Sequence, residues 1–194
     1  MYSVRFSGIQ CKISLLFPAV LLYLLYADPS GLLLFGFSAA VIHECGHIIT
    51  ACLLRHKPRE LVISCFGMRL VDSDGCLSRS EDALIALAGP ALNAGMYLLL
   101  YRLPIDPLYA DIHLVMAVFN LLPIDPLDGG RVLDALVRGW GTSFGFGVKT
   151  FLFYAVWAVM TGVGIALARH PPHNITLCVV AMYLLFHRLF YNGN

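Results

Sequence analysis

Apolar residues run together along this chain in stretches too long for the core of a small soluble fold. Six such runs stand out: Ile13–Ala27, Gly31–Leu54, Ala83–Tyr101, Leu108–Leu122, Thr150–Ala168 and Ile175–Tyr191. About 20 apolar residues in a helix cross a hydrocarbon layer about 30 Å thick. The runs therefore predict an all-α polytopic membrane protein with about six transmembrane helices. Composition agrees, with 59% hydrophobic and 13% charged residues, against roughly 45–50% and 25% in a soluble domain. The first and fourth runs are the short ones.

Residues 1–194 read as a single membrane-embedded domain, with a core over about 31–138 and extra spans at 13–27, 150–168 and 175–191. No repeat is present, and no cleavable leader is expected, because the first run ends at Asp28-Pro29 without a small-x-small site. A net charge of +1 and the lack of a basic run argue against a nucleic-acid partner. The six cysteines follow no metal-knuckle spacing and read as reduced, structural residues.

Six spans would put both termini on one side, together with the second and fourth loops. That side then holds Arg5, Lys12, Arg55, Lys57, Arg59, Arg69, Arg79, Arg131, Arg138, Lys149 and Arg188, and the other only Arg102 and Arg169. Positive charge marks the cytoplasmic face, so both termini are expected in the cytoplasm. Between the second and third runs, residues 57–80 are not lipid-like. Leu61–Cys65 and Met68–Val71 are β-prone and Asp74-Gly75 signals a turn. A small cytoplasmic β-hairpin or sheet of two or three strands is expected there.

Inside the second run stands His43-Glu44-Cys45-Gly46-His47. Histidines four apart share a helix face, so both imidazoles can reach one ion. The intervening glutamate can sit beside that ion without binding it and act as general base and then acid. An ionisable cluster in an apolar helix is costly, which favours a functional role over an accident of packing. His47 lies about 10 Å inside the cytoplasmic end of the span, so the site should open toward the cytoplasm.

A catalytic zinc takes three protein ligands. His170 and His173 fall on the wrong side of the membrane for this role, and His113 begins the fourth run on the outer side. His56, Glu60 and Glu81 lie in or beside the polar loop. The stretch from Asn120 to Arg131, rich in proline and glycine, is better placed, since irregular backbone at membrane depth lines cavities. Spacing alone leaves Asp125 and Asp128 level as the third ligand.

Three elements together resemble the site-2 protease family of intramembrane metalloproteases: His43–His47, the run Asn120-Leu-Leu-Pro123 leading into Pro126-Leu-Asp128-Gly-Gly130, and Ala88-Gly-Pro-Ala-Leu-Asn93. In order and spacing they cover about residues 31–138, and they are most similar to the bacterial branch containing stage IV sporulation protein FB. The resemblance implies one zinc ion per chain, with Asp128 as third ligand beside His43 and His47, and Glu44 as the catalytic residue. It implies that Asn120 holds substrate or stabilises the intermediate, with an interhelical hydrogen bond as an equal reading. Asn93 matches a polar position beside the metal helix, for which an interhelical hydrogen bond is an equal reading. Family members often carry a PDZ or nucleotide-sensing CBS domain, and neither is expected here.

The function so implied is intramembrane hydrolysis of a peptide bond in or near a transmembrane segment of a membrane-anchored substrate, with possible release of a regulatory factor. Partners would be that substrate, the lipid bilayer and inhibitory or regulatory membrane proteins. The location would be a bacterial cell membrane. The rival readings are a metal transporter or sensor using the same His and Asp residues, and a non-catalytic scaffold of the same family.

Overall fold

In the computed structural model, residues 2–6, 9–13, 18, 22, 23, 26, 28, 31–56, 58–64, 67–72, 77–137, 139–170 and 173–191 are described. They form strands β1 (Tyr2–Phe6), β2 (Ile9–Ile13), β3 (Pro58–Ser64) and β4 (Gly67–Asp72). The helices are α1 (Leu32–Leu53), α2 (Arg79–Leu100), α3 (Pro107–Asn120), α4 (Asp128–Val137), α5 (Thr142–Arg169) and α6 (Thr176–Tyr191). The chain divides into two compact units, Met1–Val118 and Phe119–Asn194.

The all-helical fold with six crossings and a sheet of only two or three strands is not the one found. Three helices among the described residues are long and apolar enough to cross a membrane: α1, α2 and Ser143–Arg169 of α5. The fourth and sixth runs become α3 and α6, of 14 and 16 residues. At 1.5 Å per residue these rise about 21 and 24 Å, short of a hydrocarbon core. Ten of the fifteen residues of the first run, 13–27, lie outside the described residues, as do Cys65, Cys76 and the Asp74-Gly75 turn.

The second correction is the sheet. It has four strands in the order β1–β2–β3–β4, antiparallel at β1–β2 and β3–β4 and parallel at β2–β3. Half of it comes from residues that precede every described helix. Tyr2–Phe6 alternates apolar and polar residues in the two-residue period of a strand, but its partner β2 ends on Ile13, which heads an apolar run. Hydropathy therefore hid the pairing.

Helix α1 is apolar all round and takes its shape at both ends from specific bonds. The Asp28 carboxylate accepts from the Leu33 amide at 2.6 Å, covering one orphan donor of the first turn. At the other end Arg55 adopts a left-handed φ of 65°. Its amide bonds Cys52 O at 3.0 Å, and the His56 amide bonds Ala51 O at 2.9 Å. This is a Schellman closure in which arginine takes the place that glycine usually fills.

Ser78 opens α2 with a capping box. Its hydroxyl accepts from the Glu81 amide, and the Glu81 carboxylate accepts from the Ser78 amide at 2.9 Å. Glu81 also lies 3.2 Å from His56 Nε2, tying the end of α1 to the start of α2.

In α1 the buried residues are Ala39, His43, Gly46, His47 and Ala51. In α2 they are Ile85, Ala86, Gly89, Pro90 and Asn93. Small residues on both faces let the two backbones approach. A Cβ on Gly46 would stand 2.6 Å from Ala88 O and 3.0 Å from the Gly89 Cα. Yet only 22% and 28% of the spanning windows of α1 and α2, and 17% of that of α5, are buried. The rest of these apolar surfaces faces outward, as lipid requires.

The second unit packs α5 against α6 around Ile124, Phe153, Met160, Ala181 and Leu184. Gly164 meets Cys178, Trp157 Nε1 donates to Ala181 O at 3.0 Å, and Arg188 donates to the Thr150 hydroxyl at 2.9 Å. These pairs run in opposite chain directions, so the two helices are antiparallel. The Arg188 guanidinium also covers the Phe153 ring at 5.3 Å.

Candidate metal centre

His43 and His47 stand on the buried face of α1, one turn apart, with their Nε2 atoms 3.1 Å from each other. Each ring is held from behind. His47 Nδ1 donates to Ile85 O on α2 at 2.7 Å, because a carbonyl can only accept. With the proton on Nδ1, Nε2 carries the lone pair, the usual tautomer of a metal-ligating histidine. His43 Nδ1 lies 3.2 Å from the Asn93 amide nitrogen, and Asn93 Oδ1 lies 3.0 Å from His113 Nδ1 on α3.

Gly89 forms the floor beneath the two rings. A Cβ there would come within 2.5 Å of His47 Nε2, 2.6 Å of its Cε1 and 2.8 Å of His43 Nε2. Only a residue without a side chain leaves room for the imidazoles where they are.

Asp128 is the first residue of α4 and is buried. The tight turn before it needs the two glycines that follow. A Cβ on Gly129 would collide with the carbonyl oxygens of Leu121 and Leu122, and one on Gly130 would lie 2.7 Å from Ile124 O. Asp125, level with Asp128 by spacing, is 3.3 Å from Lys149 Nζ, and that lysine also reaches Asp134 at 2.5 Å. The first unit thus offers two buried imidazoles, His43 and His47, and the second a buried carboxylate, Asp128.

The donor set suits zinc. At Zn–N distances of about 2.0–2.1 Å, two ligands of a tetrahedral ion stand roughly 3.3 Å apart, and the two imidazole nitrogens already stand at 3.1 Å. Two neutral imidazoles and a carboxylate form one of the ligand sets of catalytic zinc.

The other expected residues fall as follows. Glu44 is half-buried on α1, next to His43. Asn120 is the last residue of α3, also half-buried. Asn93 is wholly buried, with its amide engaged by two histidines.

His113 was missed as a participant because the run boundaries set it at the outer mouth of the fourth span. It is buried and bonded, through Asn93, to the metal motif. The signal that could have found it is the stripe Ala110, His113, Ala117, three and four residues apart and small on either side of the imidazole.

No known protein-family profile matches the chain. A Synechocystis protein named as a zinc metalloprotease is 31% identical over 112 residues, which are 52% of this chain and 30% of that relative. A zinc metalloprotease of Methanocaldococcus jannaschii is 28% identical over 119 residues, 52% of this chain and 32% of that relative. The match thus spans about a third of the length of these curated relatives. The solved structure of a site-2 protease from M. jannaschii aligns over 95% of this chain and 93% of its own, with a TM-score of 0.63 and 23% identity. The fold is that of this protease, and the relatives in sequence are zinc metalloproteases.

Proposed function

We propose that this chain is a zinc-dependent endopeptidase of the site-2 type that works within a membrane. The carrying observation is the buried pair His43 and His47, with Nε2 atoms 3.1 Å apart, on a helix long and apolar enough to cross a bilayer. Ionisable groups at such a place are costly unless they serve a site.

His43, His47 and Asp128 would hold one zinc ion, which supplies Lewis-acid polarisation of a carbonyl and of water when bound. Glu44 takes a proton from the attacking water and delivers it to the leaving nitrogen, as the peptide C–N bond breaks and the new C–O bond forms. Asn120, at the end of α3, would hold the substrate backbone or the oxygen on which charge develops. The pairing of Asp125 with Lys149 supports Asp128 as the ligand.

The substrate class is a membrane-anchored protein, cut in or near its transmembrane segment. A helical target must unwind locally first, since its carbonyls are engaged in its own hydrogen bonds. Release of an anchored regulatory factor is the outcome that best suits a cut at this depth.

The test is Glu44→Gln in the full chain, reconstituted in lipid with a membrane-anchored reporter. Zinc content should stay at one per chain while cleavage falls by about 100-fold or more. Undiminished cleavage would remove Glu44 from the chemistry, and a protein that never binds zinc would end the reading altogether.

A further inference from the structure

Helix α4 carries Asp128 at its head, yet little apolar burial holds the helix in place. Its ten residues have four buried positions, Asp128, Gly129, Gly130 and Val137, so Val137 is its one buried apolar side chain. Helices shorter than about 12–15 residues are marginal alone and depend on what they pack against. At the entry, Ile124 lies in the core beside Phe153 and Met160, and Gly129 and Gly130 press on the carbonyls of Leu121, Leu122 and Ile124. At the exit, Val137 abuts Gly145 of α5. Glycine contacts bring backbones close but interlock no side chains, so they set the distance of α4 more than its rotation.

Lys149 on α5 supplies a hold of another kind. Its Nζ stands 2.5 Å from Asp134 Oδ1 on α4 and 3.3 Å from Asp125 Oδ2 in the turn before it. One ammonium, with three donors, thus grips the segment on both sides of Asp128. The three side chains are only 20–25% exposed, which spares them much of the screening that weakens pairs on an open surface. At about 100° per residue, Asp134 stands roughly 120° round the helix from Asp128. Lys149 therefore holds a flank of α4 and leaves the Asp128 face clear. Arg131 also lies 3.8 Å from Asp128, but on the same helix, so that contact turns with it.

Rotation matters for a ligand. A group about 5 Å from the axis moves roughly 1 Å when the helix turns by about 10°, whereas metal–ligand distances hold to about 0.2 Å. We propose that Lys149 is a positioning residue for the metal centre: through Asp134 and Asp125 it sets the rotation of α4 and so the place of the Asp128 carboxylate. The inference rests on the reading of Asp128 as a zinc ligand.

The test uses the purified full chain in detergent. It reads zinc affinity by chelator competition, the visible bands of the cobalt-substituted protein and the thermal midpoint of the zinc-free protein. Lys149→Met keeps the length of the side chain and removes its charge; zinc affinity should fall about tenfold and the cobalt bands should shift. Asp134→Leu removes the shorter tie from its other end and should act alike. Joined to Lys149→Met it should add less than about twofold, because both changes remove one tie. Lys149→Arg keeps a cation of similar reach and should return affinity to within a few-fold of the parent. Asp125→Asn keeps an oxygen that can accept from Lys149, and should stay near the parent.

A merely structural ion pair would lower the thermal midpoint and leave zinc affinity and cobalt bands parental in folded Lys149→Met; that result overturns the proposal. So does Lys149→Arg binding zinc no better than Lys149→Met. If the methionine variant does not fold, Asp134→Leu decides by the same affinity and bands. Asp128→Ala separates the two levels. Zinc binding unchanged in that variant ends the ligand reading and the positioning role with it. Zinc lost there but untouched in the folded Lys149 and Asp134 variants ends the positioning role alone.

Discussion

Two helix contacts in this molecule are built on opposite principles. Between α1 and α2 the packing residues are small, Gly46, Gly89 and the alanines, and the space they leave is filled by His43, His47 and Asn93. Between α5 and α6 the packing is by Phe153, Met160 and Leu184, with polar bonds only as single ties such as Trp157 to Ala181 O. Lipid drives neither pair together by the hydrophobic effect, so both rely on close packing and hydrogen bonds. The first contact gives up side-chain bulk to hold the two imidazoles and the amide of the candidate metal centre. The second spends its whole surface on holding together.

The contrast breaks most sharply at the aspartates. Asp128→Asn should weaken zinc by more than the roughly 100-fold upper scale of an outer-shell loss, since a ligand itself is weakened. Asp125→Asn, which touches Lys149, should leave zinc content as in the parent; chelator competition on both variants decides. The glycines come next. Gly89→Ala places a methyl on the imidazole nitrogens and should lower zinc affinity about 10–100-fold. Gly164→Ala meets Cys178 Sγ at 2.8 Å and should cost about 1–3 kcal/mol of stability by overpacking, with zinc binding unmoved. Loss of zinc in Gly164→Ala would show that the two contacts are not separate in function.

Two smaller effects sharpen the description of the first pair. Ser78→Ala removes the capping box of α2 and should cost about 1 kcal/mol, read as a lower unfolding midpoint in detergent. Arg55→Gly relieves a left-handed arginine and should gain about 0.5 kcal/mol, measured the same way.

What could be read in advance follows the range of each interaction. His43, Glu44 and His47 were legible because a helix fixes their neighbourhood over four residues. Asp128 was not separable from Asp125 by spacing, since the pairing that engages Asp125 comes from Lys149, 24 positions beyond it. His113 was set aside because its importance is a contact with α2, invisible to periodicity along α3. Among the described residues the spans were overcounted because hydropathy measures how apolar a run is, while crossing depends on how far its helix extends. Strands β1 and β2 were missed because β2 runs into an apolar stretch and its second partner, β3, arrives more than forty residues later.

That last separation has a consequence for how the protein is made. A ribosome emits β2 well before β3, with all of α1 between them. The ladder between Gln10–Ile13 and Glu60–Ile63 can close only once α1 has been delivered to its place, and closing so wide a ring is entropically slow. Once formed, the ladder pins Ile13 and Pro58 to the same side of any bilayer. The sheet is thus a late-setting seal on insertion: its assembly certifies that the helix bearing the zinc motif was threaded correctly, and a misthreaded chain would be left with two unpaired strand edges.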